Sequence, residues 1–373
     1  MRIGIDVRCL MESQYSGISE YTYNLLTVLF TLDSRNRYVL FYNSAQATAV
    51  PTFAFPNVTV REFKYPNKLF NLSLRFLKIT AVDRLLGGVD VMLVPNFLFL
   101  NLSARCRKVL IVHDLSFELY PEFFTLKKKL WHRLIGARRL CQQADAIVAI
   151  SQNTKHDLIS RYGTDQKKIR VVPPGISDQF FAPISEGALA AVKKKYQLPR
   201  RYILALGNLE PRKNITTLIA AFERMTNRDC RLVIAGGRGW KYAALYQQWQ
   251  RSAAKDRITF LGYVDATDKP ALYRLATMFV YPSIYEGFGL PPIEAMAAGT
   301  PVVTSFASSL PEAVGDAALM VDPYNVEDLT RVMDQLAADG ALAQTLIQRG
   351  QARSQQFRWE RAAAEILKII TNG

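Results

Sequence analysis

Cysteine and histidine are scarce in this chain of 373 residues, which contains four cysteines and three histidines. The cysteines are Cys9, Cys106, Cys141 and Cys230, and no two of them form a Cys-x-x-Cys pair. This spacing argues against a zinc site and a disulfide framework, and it fits a protein of a reducing compartment. We therefore expect no metal ion.

Long apolar runs are also missing. The nearest candidate, residues 85–102, is interrupted by two glycines, Asp90, Pro95 and Asn96, whereas a membrane-spanning helix needs about 20 apolar residues. It predicts a buried strand and a loop instead. The first residues, MRIGIDVRCL, contain no basic region followed by an apolar stretch, so we expect no secretory signal and expect the mature protein to begin here. Any membrane contact is expected to be peripheral.

Several catalytic signatures are absent from the sequence. There is no GxxxxGK[ST] and no GxGxxG after the first predicted strand, which disfavours a P-loop NTPase and a dinucleotide-dependent dehydrogenase. Neither GxSxG nor HExxH occurs, so hydrolytic chemistry has no obvious nucleophile.

Positive charge is in excess and is unevenly distributed. The chain has 47 Lys and Arg against 32 Asp and Glu, a formal net charge of +15. Residues 1–177 contain 24 basic and 13 acidic side chains, and residues 178–373 contain 23 and 19. Such an excess favours a polyanionic partner, facing the first half of the chain.

The remaining composition is that of a soluble globular protein, with 49% apolar and 21% charged residues, and the length suits two domains. Short apolar runs alternate with helical patterns, which predicts two doubly wound α/β domains with buried parallel sheets. The predicted strands are 2–7, 38–42, 89–94, 108–112, 146–150 and 169–172, then 202–206, 231–235, 258–261, 278–281, 302–305 and 319–322.

The boundary between the domains is predicted near residue 178, because two prolines and a glycine interrupt regular structure in VVPPGISDQFF at 171–181. We expect an N-terminal domain over 1–177 and a C-terminal domain over 178–355. Residues 356–373 have the spacing of an amphipathic helix, which we expect to cross back to the N-terminal domain.

Ligands of open α/β sheets bind at the carboxyl ends of the strands, so the loops there are the candidate sites. GNLEPRKN at 207–214 follows a predicted strand and precedes a helix. Gly207 permits a turn, and Arg212 and Lys213 place two cations near a helix N-terminus, as a phosphate site requires. The alternative is a solvated basic turn.

A second loop lies within YPSIYEGFGLPPIEAMAAG at 281–299. Glu286 precedes Gly287, Phe288 and Gly289, and Glu294 follows Glu286 after seven intervening residues. Carboxylates suit sugar hydroxyls, and the amides at a helix start suit a phosphate. Each glutamate alone could be a helix cap or a surface charge.

Two further candidates lie in the first half of the chain. His113 and Asp114 end an apolar strand, so His113 is a candidate ligand contact rather than a structural hydrogen-bonding group. Gly17, in SGISEYTYNLL at 16–26, allows close backbone approach to a ligand or is simply part of a helix start.

Together these segments resemble the retaining glycosyltransferases of family four with the GT-B fold. They are most similar to bacterial mannosyltransferases that build lipid-linked polysaccharides from GDP-mannose. The similarity runs from GIDVRCL through VHDLSFELYPEFF and VVPPGI to GLPPIEAMAAGTPVVTS and LPEAVGDAALMVDP. The two glutamates separated by seven residues are its most specific element. The resemblance implies two Rossmann-like domains facing a central cleft.

The resemblance also implies roles for individual residues. Arg212 and Lys213 would neutralise the donor diphosphate, Glu286 would hold the transferred sugar and Glu294 the ribose. The amides of Phe288, Gly289 and Leu290 would assist Glu286. Gly17 would approach the diphosphate and His113 would contact the sugar near O6. Many relatives have Arg after the first glycine of the diphosphate loop, where this chain has Asn208, so Arg212 would carry more of the phosphate charge.

For activity, the resemblance implies metal-independent transfer of a hexose with retention, no cofactor, and a polyprenyl-diphosphate-linked saccharide acceptor. It implies that the N-terminal domain binds the acceptor and the C-terminal domain binds the nucleotide sugar. A UDP-sugar transferase and a nucleotide-sugar epimerase of the same architecture are alternatives. A basic nucleic-acid-binding protein is an alternative of another class, but no nucleic-acid-binding motif supports it.

The excess positive charge indicates a membrane surface. Residues 125–141, TLKKKLWHRLIGARRLC, predict one basic amphipathic helix with Leu126, Leu130 and Leu134 on its apolar stripe. Residues 61–84 add six basic and two acidic residues among aromatic and leucine side chains. The alternative is that the stripes face the core. We expect the N-terminal domain to dock on the cytoplasmic face of the cell membrane. The predicted membrane residues are Lys127, Lys128, Lys129, Trp131, Arg133, Arg138 and Arg139.

Overall fold

The computed structural model describes residues 1–12, 16–48 and 50–372. The chain forms two compact units. The N-terminal unit contains Met1–Leu115, Lys127–Gly175 and the residues from Arg358 onward, and the C-terminal unit contains Ser116–Leu126 and Ile176–Phe357. The units therefore change after Gly175 and Phe357, each two residues from the expected boundary, and the short segment 116–126 is part of the C-terminal unit.

The N-terminal unit is built on a seven-stranded parallel sheet within the described residues, in the order β3-β2-β1-β4-β5-β6-β7. Its central strands are apolar and buried on both faces, as parallel strands between helices must be. The strands are β1 (Arg2–Asp6), β2 (Arg37–Asn43), β3 (Val58–Phe63), β4 (Val91–Val94), β5 (Arg107–Val112), β6 (Ala146–Ala149) and β7 (Ile169–Val171).

Helices cover the sheet of this unit. They are α1 (Gly17–Leu32), α2 (Asn67–Leu72), α3 (Val82–Leu85), α5 (Leu126–Ile135), α6 (Ala137–Gln143), α7 (Gln152–Tyr162) and the last helix, α16 (Trp359–Thr371), while α4 (Ser116–Leu119) belongs to the C-terminal unit. The last helix packs on α1 and buries its apolar stripe there. Arg107 fixes its end by donating to the carbonyls of Ile369 and Ile370.

The C-terminal unit contains a six-stranded parallel sheet within the described residues, in the order β10-β9-β8-β11-β12-β13. Its strands are β8 (Tyr202–Leu206), β9 (Arg231–Ala235), β10 (Ile258–Gly262), β11 (Met278–Tyr281), β12 (Val302–Ser305) and β13 (Ala318–Val321). Its helices are α8 (Glu186–Lys195), α9 (Ile215–Arg224), α10 (Tyr242–Arg251), α11 (Lys269–Arg274), α12 (Leu290–Ala297), α13 (Leu310–Val314), α14 (Val326–Ala338) and α15 (Gly340–Ser354).

The α/β fold class is confirmed, and each predicted strand range overlaps a strand of the structure. Strand β3 was not predicted. The prediction of one continuous helix over 125–141 is wrong, because Gly136 adopts a left-handed conformation with φ of 70° and separates α5 from α6. Leu126, Leu130 and Leu134 on α5 are exposed, whereas Ala137 and Cys141 on α6 are buried. No helix in the described part of the chain is long and apolar enough to cross a bilayer.

Candidate functional site

The loop after β8 brings the two predicted cations to the carboxyl edge of the C-terminal sheet. A short 3₁₀ turn, Pro211–Lys213, leads to Asn214, whose φ of 57° turns the chain into α9. The Asn214 side-chain amide donates to the carbonyls of Pro282 (3.1 Å) and Pro323 (2.6 Å). The loop is therefore fixed to the segments that follow β11 and β13.

Glu286 lies between the two cations. One carboxylate oxygen accepts from Arg212 Nη1 at 2.7 Å and the other from Lys213 Nζ at 2.6 Å. Lys213 Nζ also donates to the hydroxyl of Tyr281. Arg212 Nε contacts Glu210 Oε2 at 3.0 Å. The structure thus brings Arg212, Lys213 and Glu286, from the two candidate loops, together in one cluster.

Burial makes this cluster electrostatically strong. Burial by itself would raise the pKa of Glu286, but the charges of Arg212 and Lys213 outweigh it and lower the pKa to about 2. Burial, and then the neighbouring Arg212, lower the pKa of Lys213 despite the attraction of Glu286. Two cations here face two carboxylates, because Glu286 contacts both of them and Glu210 contacts Arg212. The low pKa of Glu286 keeps it ionised.

The backbone of Glu286 is also held in place. Its N–H donates to Ser308 Oγ at 2.8 Å, and its carbonyl accepts from Ser309 Oγ at 2.9 Å. In addition, the N–H of Ile284 donates to the carbonyl of Arg212 at 2.8 Å. These bonds fix the loop that carries Glu286 against the loop after β8, so backbone as well as side-chain contacts set the positions of Arg212, Lys213 and Glu286.

Helix α12 begins directly after this loop. Gly289 has a φ of 104°, and a Cβ atom there would lie 2.6 Å from Leu310 Cδ2, so the position requires glycine. Pro291 and Pro292 occupy the first turn, where their missing N–H groups cost nothing. The amides of Phe288, Gly289 and Leu290 precede the prolines, and their contact with a donor stays a prediction.

Glu294, the second predicted glutamate, lies within α12 and is buried. Its Oε2 accepts from the hydroxyl of Tyr273 at 3.0 Å. Asn208 and Gly207 lie at the start of the loop after β8, next to Gly236 at the end of β9. The roles of Glu294 in binding ribose and of Gly207 and Asn208 in binding the donor stay predictions.

His113 and Gly17 lie in the N-terminal unit. His113 Nε2 is 2.8 Å from the carbonyl of Pro95, and the ring meets Tyr21 edge-on at 4.7 Å between centroids. Burial lowers the pKa of His113, which favours the neutral ring. Gly17 is the first residue of α1, and a Cβ there would meet no atom of the described residues within 4 Å. Contact of either residue with a ligand stays a prediction.

Several residues of this site were not predicted from the sequence. Glu210 and Tyr281 contact the cations, and Ser308 and Ser309 bind the Glu286 backbone. Glu210 lies within the GNLEPRKN motif, and its position two residues before Arg212 was the available signal. Nothing in the local sequence of Ser308 and Ser309 indicated their roles. Within the described residues, no group of three or more His, Cys, Asp or Glu side chains could hold a metal ion.

Two family models match the chain in succession. "Glycosyltransferase Family 4" matches residues 15–180, and "Glycosyl transferases group 1" matches residues 190–353. Their boundary falls close to the change of unit after Gly175.

Curated relatives and solved structures agree with the family models. O-antigen chain mannosyltransferase B of Escherichia coli is 35% identical over 277 residues, which cover 73% of this chain and 72% of that protein. The serotype-specific mannosyltransferase WbdA of Escherichia coli is 32% identical over 234 residues, covering 60% of this chain and 28% of WbdA. The crystal structure of Anabaena HepE in complex with UDP-glucose matches with a TM-score of 0.74 at 20% identity, covering 99% of each chain. The chain therefore belongs to the family-four glycosyltransferases and has the GT-B fold of two Rossmann-like domains.

Proposed function

We propose that this glycosyltransferase moves mannose from GDP-mannose onto a lipid-linked saccharide in the assembly of a bacterial surface polysaccharide. The observation that carries the proposal is the cluster of Arg212, Lys213 and Glu286 at the carboxyl edge of the C-terminal sheet. The names of two relatives, O-antigen chain mannosyltransferase B and mannosyltransferase WbdA, support mannose and a polysaccharide acceptor.

The cluster suits a reaction whose leaving group is an anion. As the sugar–phosphate bond breaks, negative charge builds up on the nucleoside diphosphate, and preorganised cations in a buried site lower the energy of that state. Lys213 and Arg212 are the cations in our proposal. The ionised Glu286 would exchange part of its contact with them for hydroxyls of the transferred sugar. In this proposal Glu286 binds the sugar as a carboxylate and donates no proton.

We further propose transfer with retention and without a metal ion or cofactor. The bond between the anomeric carbon and the phosphate oxygen breaks, and a bond from that carbon to the acceptor oxygen forms on the same face. The acceptor proton passes to the departing phosphate oxygen. Arg212 and Lys213 supply the positive charge that a divalent cation supplies in other sugar transferases, so a chelator should leave the rate unchanged.

The test of the proposal is transfer of mannose by the Lys213→Ala variant. Loss of one buried cation should lower kcat by about 100-fold or more, measured as release of GDP with a saccharide acceptor. Lys194→Ala, a change of an exposed lysine on α8, is the matched control and should retain the wild-type rate. Wild-type turnover of Lys213→Ala would contradict the proposal.

A UDP-sugar donor is the second candidate, because the structural neighbour HepE is described in complex with UDP-glucose. A thermal-shift series with GDP, UDP, GDP-mannose and UDP-glucose separates the donors, since a ligand that binds only the folded protein raises Tm. We expect the larger shift with the GDP compounds, and a shift with UDP compounds alone would favour the second candidate.

We also propose that the protein attaches to the cytoplasmic face of the cell membrane through the N-terminal unit. Exposed apolar side chains accompany the basic ones on α5 and on the segment 67–79, including Leu126 at 83%, Leu69 at 64% and Ile79 at 78% exposure. Arg75 Nε donates to the Leu134 carbonyl at 2.8 Å and joins the two segments. Mixed apolar and basic surfaces of this kind suit anionic lipid.

A further inference from the structure

A row of aromatic side chains lies in the C-terminal unit. The ring centroid of Tyr120 is 5.3 Å from that of Phe123 and 5.5 Å from that of Tyr285. Tyr324 follows β13 and is 66% exposed. We call these four residues the aromatic row. Tyr285 is buried, with 3% of its surface exposed, so the accessible rings of the row are those of Tyr120, Phe123 and Tyr324. Neither the proposed donor chemistry nor the strand-end motifs account for them.

The aromatic row begins next to the charged cluster. Tyr285 precedes Glu286 in sequence, and its carbonyl accepts from Arg212 Nη1 at 3.2 Å. At the other end, Tyr324 follows Pro323, whose carbonyl accepts from Asn214 at 2.6 Å. Both ends are therefore fixed to the loop that carries Arg212 and Lys213.

The segment 116–126 places Tyr120 and Phe123 in this unit. Trp240 Nε1 donates to the Phe123 carbonyl at 2.5 Å, and the Trp240 ring stacks on Phe124 with centroids 5.6 Å apart. Lys241 donates to the carbonyl of Glu122. These contacts anchor the segment to the loop between β9 and α10. They therefore fix the positions of Tyr120 and Phe123.

Carboxylates accompany the aromatic row. Burial, and then the charges of Tyr120, Glu122 and Asp322, raise the pKa of Tyr324. Glu122 is exposed, and Asp322 accepts from the Tyr324 N–H at 2.9 Å. In a chain with a net charge of +15, the carboxylates of Glu122 and Asp322 favour a neutral ligand rich in hydroxyls over anionic lipid at this part of the row.

We propose that the aromatic row is the platform on which the saccharide part of the acceptor binds. A pyranose ring presents C–H groups on its faces and hydroxyls at its edge. The C–H faces pack on tyrosine and phenylalanine rings, and the hydroxyls donate to Glu122 and Asp322. The inference rests on the proposed transferase function and extends it, because it assigns the saccharide to a surface separate from the donor cations.

The experiment compares Tyr324→Ala and Tyr120→Ala with the wild-type protein. For each we measure the affinity for GDP by calorimetry, the KM and kcat with a soluble mannose oligosaccharide acceptor, and the binding of that oligosaccharide without donor by saturation-transfer NMR. Loss of one stacking ring should raise the acceptor KM about fivefold to tenfold and weaken the NMR signal, with the GDP affinity unchanged. Tyr246→Ala, which removes an exposed tyrosine of α10, is the matched control and should match the wild type.

The outcomes separate the two proposals. Unchanged acceptor KM and oligosaccharide binding in both variants would overturn the platform while leaving the Lys213→Ala result intact. Absence of mannose transfer by the wild type would overturn the proposed function, and donor-independent oligosaccharide binding lost in Tyr324→Ala would still support the platform. Equal loss of GDP affinity and acceptor binding would overturn the platform as a separate surface. Circular dichroism confirms that each variant is folded.

Discussion

At the scale of single residues, the proposed donor site depends on the contacts that Glu286 makes with two cations. The carboxylate has two oxygens, and each contacts a different cation within 2.7 Å. The pKa values of both Glu286 and Lys213 are lowered. This shift favours the charged form of Glu286 and disfavours the charged form of Lys213. A diphosphate would add negative charge beside Lys213, whose pKa is lowered, and would therefore favour the charged form of this lysine.

We predict that Glu286→Gln destabilises the protein in a pH-dependent way. The pKa of Glu286 is about 2 against an ordinary value of 4.5, which corresponds to about 3 kcal/mol of stability. Because the folded-state pKa is lowered, this contribution is complete above about pH 4.5 and declines as the pH falls towards 2. The free energies of unfolding in urea of the two proteins should therefore differ by about 3 kcal/mol at pH 7, by about half of that at pH 3, and converge only at about pH 2 or below.

The matched control for that prediction is Glu327→Gln. Glu327 is exposed, and its carboxylate is 3.8 Å from the exposed Arg224, so the change should be close to neutral at every pH. A constant difference between wild type and Glu286→Gln from pH 7 to pH 3 would contradict the assignment of the low pKa to Glu286.

The short motifs predicted Arg212, Lys213 and Glu286 because each follows a buried strand directly, where a parallel sheet gathers its ligand-binding residues. Tyr281 was not predicted as a partner of Lys213, since the two residues are separated by 68 positions. Such a pairing depends on the neighbourhood of β8 and β11 in the sheet. Local sequence carries no signal for it.

At the scale of elements, apolar runs predicted the buried strands but did not predict the edge strand β3. Strand β3, with the sequence VTVREF, pairs with β2 at the edge of its sheet and is exposed over most of its length. It lacks the continuous apolarity on which the prediction relied. The helix predicted over 125–141 is interrupted at Gly136, which has a left-handed conformation. The spacing of apolar residues carries no information about backbone conformation at a single glycine.

The contact between the ends of β8 and β9 gives a second prediction. Gly236 has a φ of 139°, and a Cβ there would lie 2.0 Å from the carbonyl oxygen of Gly207. Gly236→Ala should therefore displace the loop that carries Arg212 and Lys213, lowering Tm by about 5 °C and weakening GDP binding. Gly187→Ala on α8, where a Cβ meets no atom of the described part of the chain within 4 Å, should leave both quantities unchanged or slightly raise Tm. Equal Tm values for the two variants would contradict the close approach.

At the scale of the whole molecule, the last helix shows what periodicity can and cannot predict. The spacing of apolar residues predicted a helix over the final residues, and α16 buries Trp359, Ala363 and Ile366 on one face. The surface that receives the stripe is the helix α1, more than 300 positions earlier in the chain. An amphipathic pattern specifies that a face is buried but carries no information about its partner.

The uneven charge distribution leads to the prediction about membrane attachment. The N-terminal unit presents exposed leucines and lysines together on α5, and each basic residue near an anionic surface contributes about 1 kcal/mol. Lys127→Glu should lower the affinity for phosphatidylglycerol vesicles about tenfold at low salt, measured by co-sedimentation. Lys194→Glu, the same change of charge on the C-terminal unit, should retain the affinity of the wild type.

Salt and lipid composition decide whether the attachment is electrostatic. Raising the salt concentration from about 0.05 M to about 0.5 M shortens the screening length several-fold, so binding to phosphatidylglycerol should fall sharply, and phosphatidylcholine should bind little at either concentration. Leu130→Ser removes an exposed apolar side chain without a change of charge and should reduce the binding that survives high salt. If phosphatidylglycerol vesicles bind Lys127→Glu and Lys194→Glu equally well, the net charge of the protein, rather than the surface formed by α5, governs the contact.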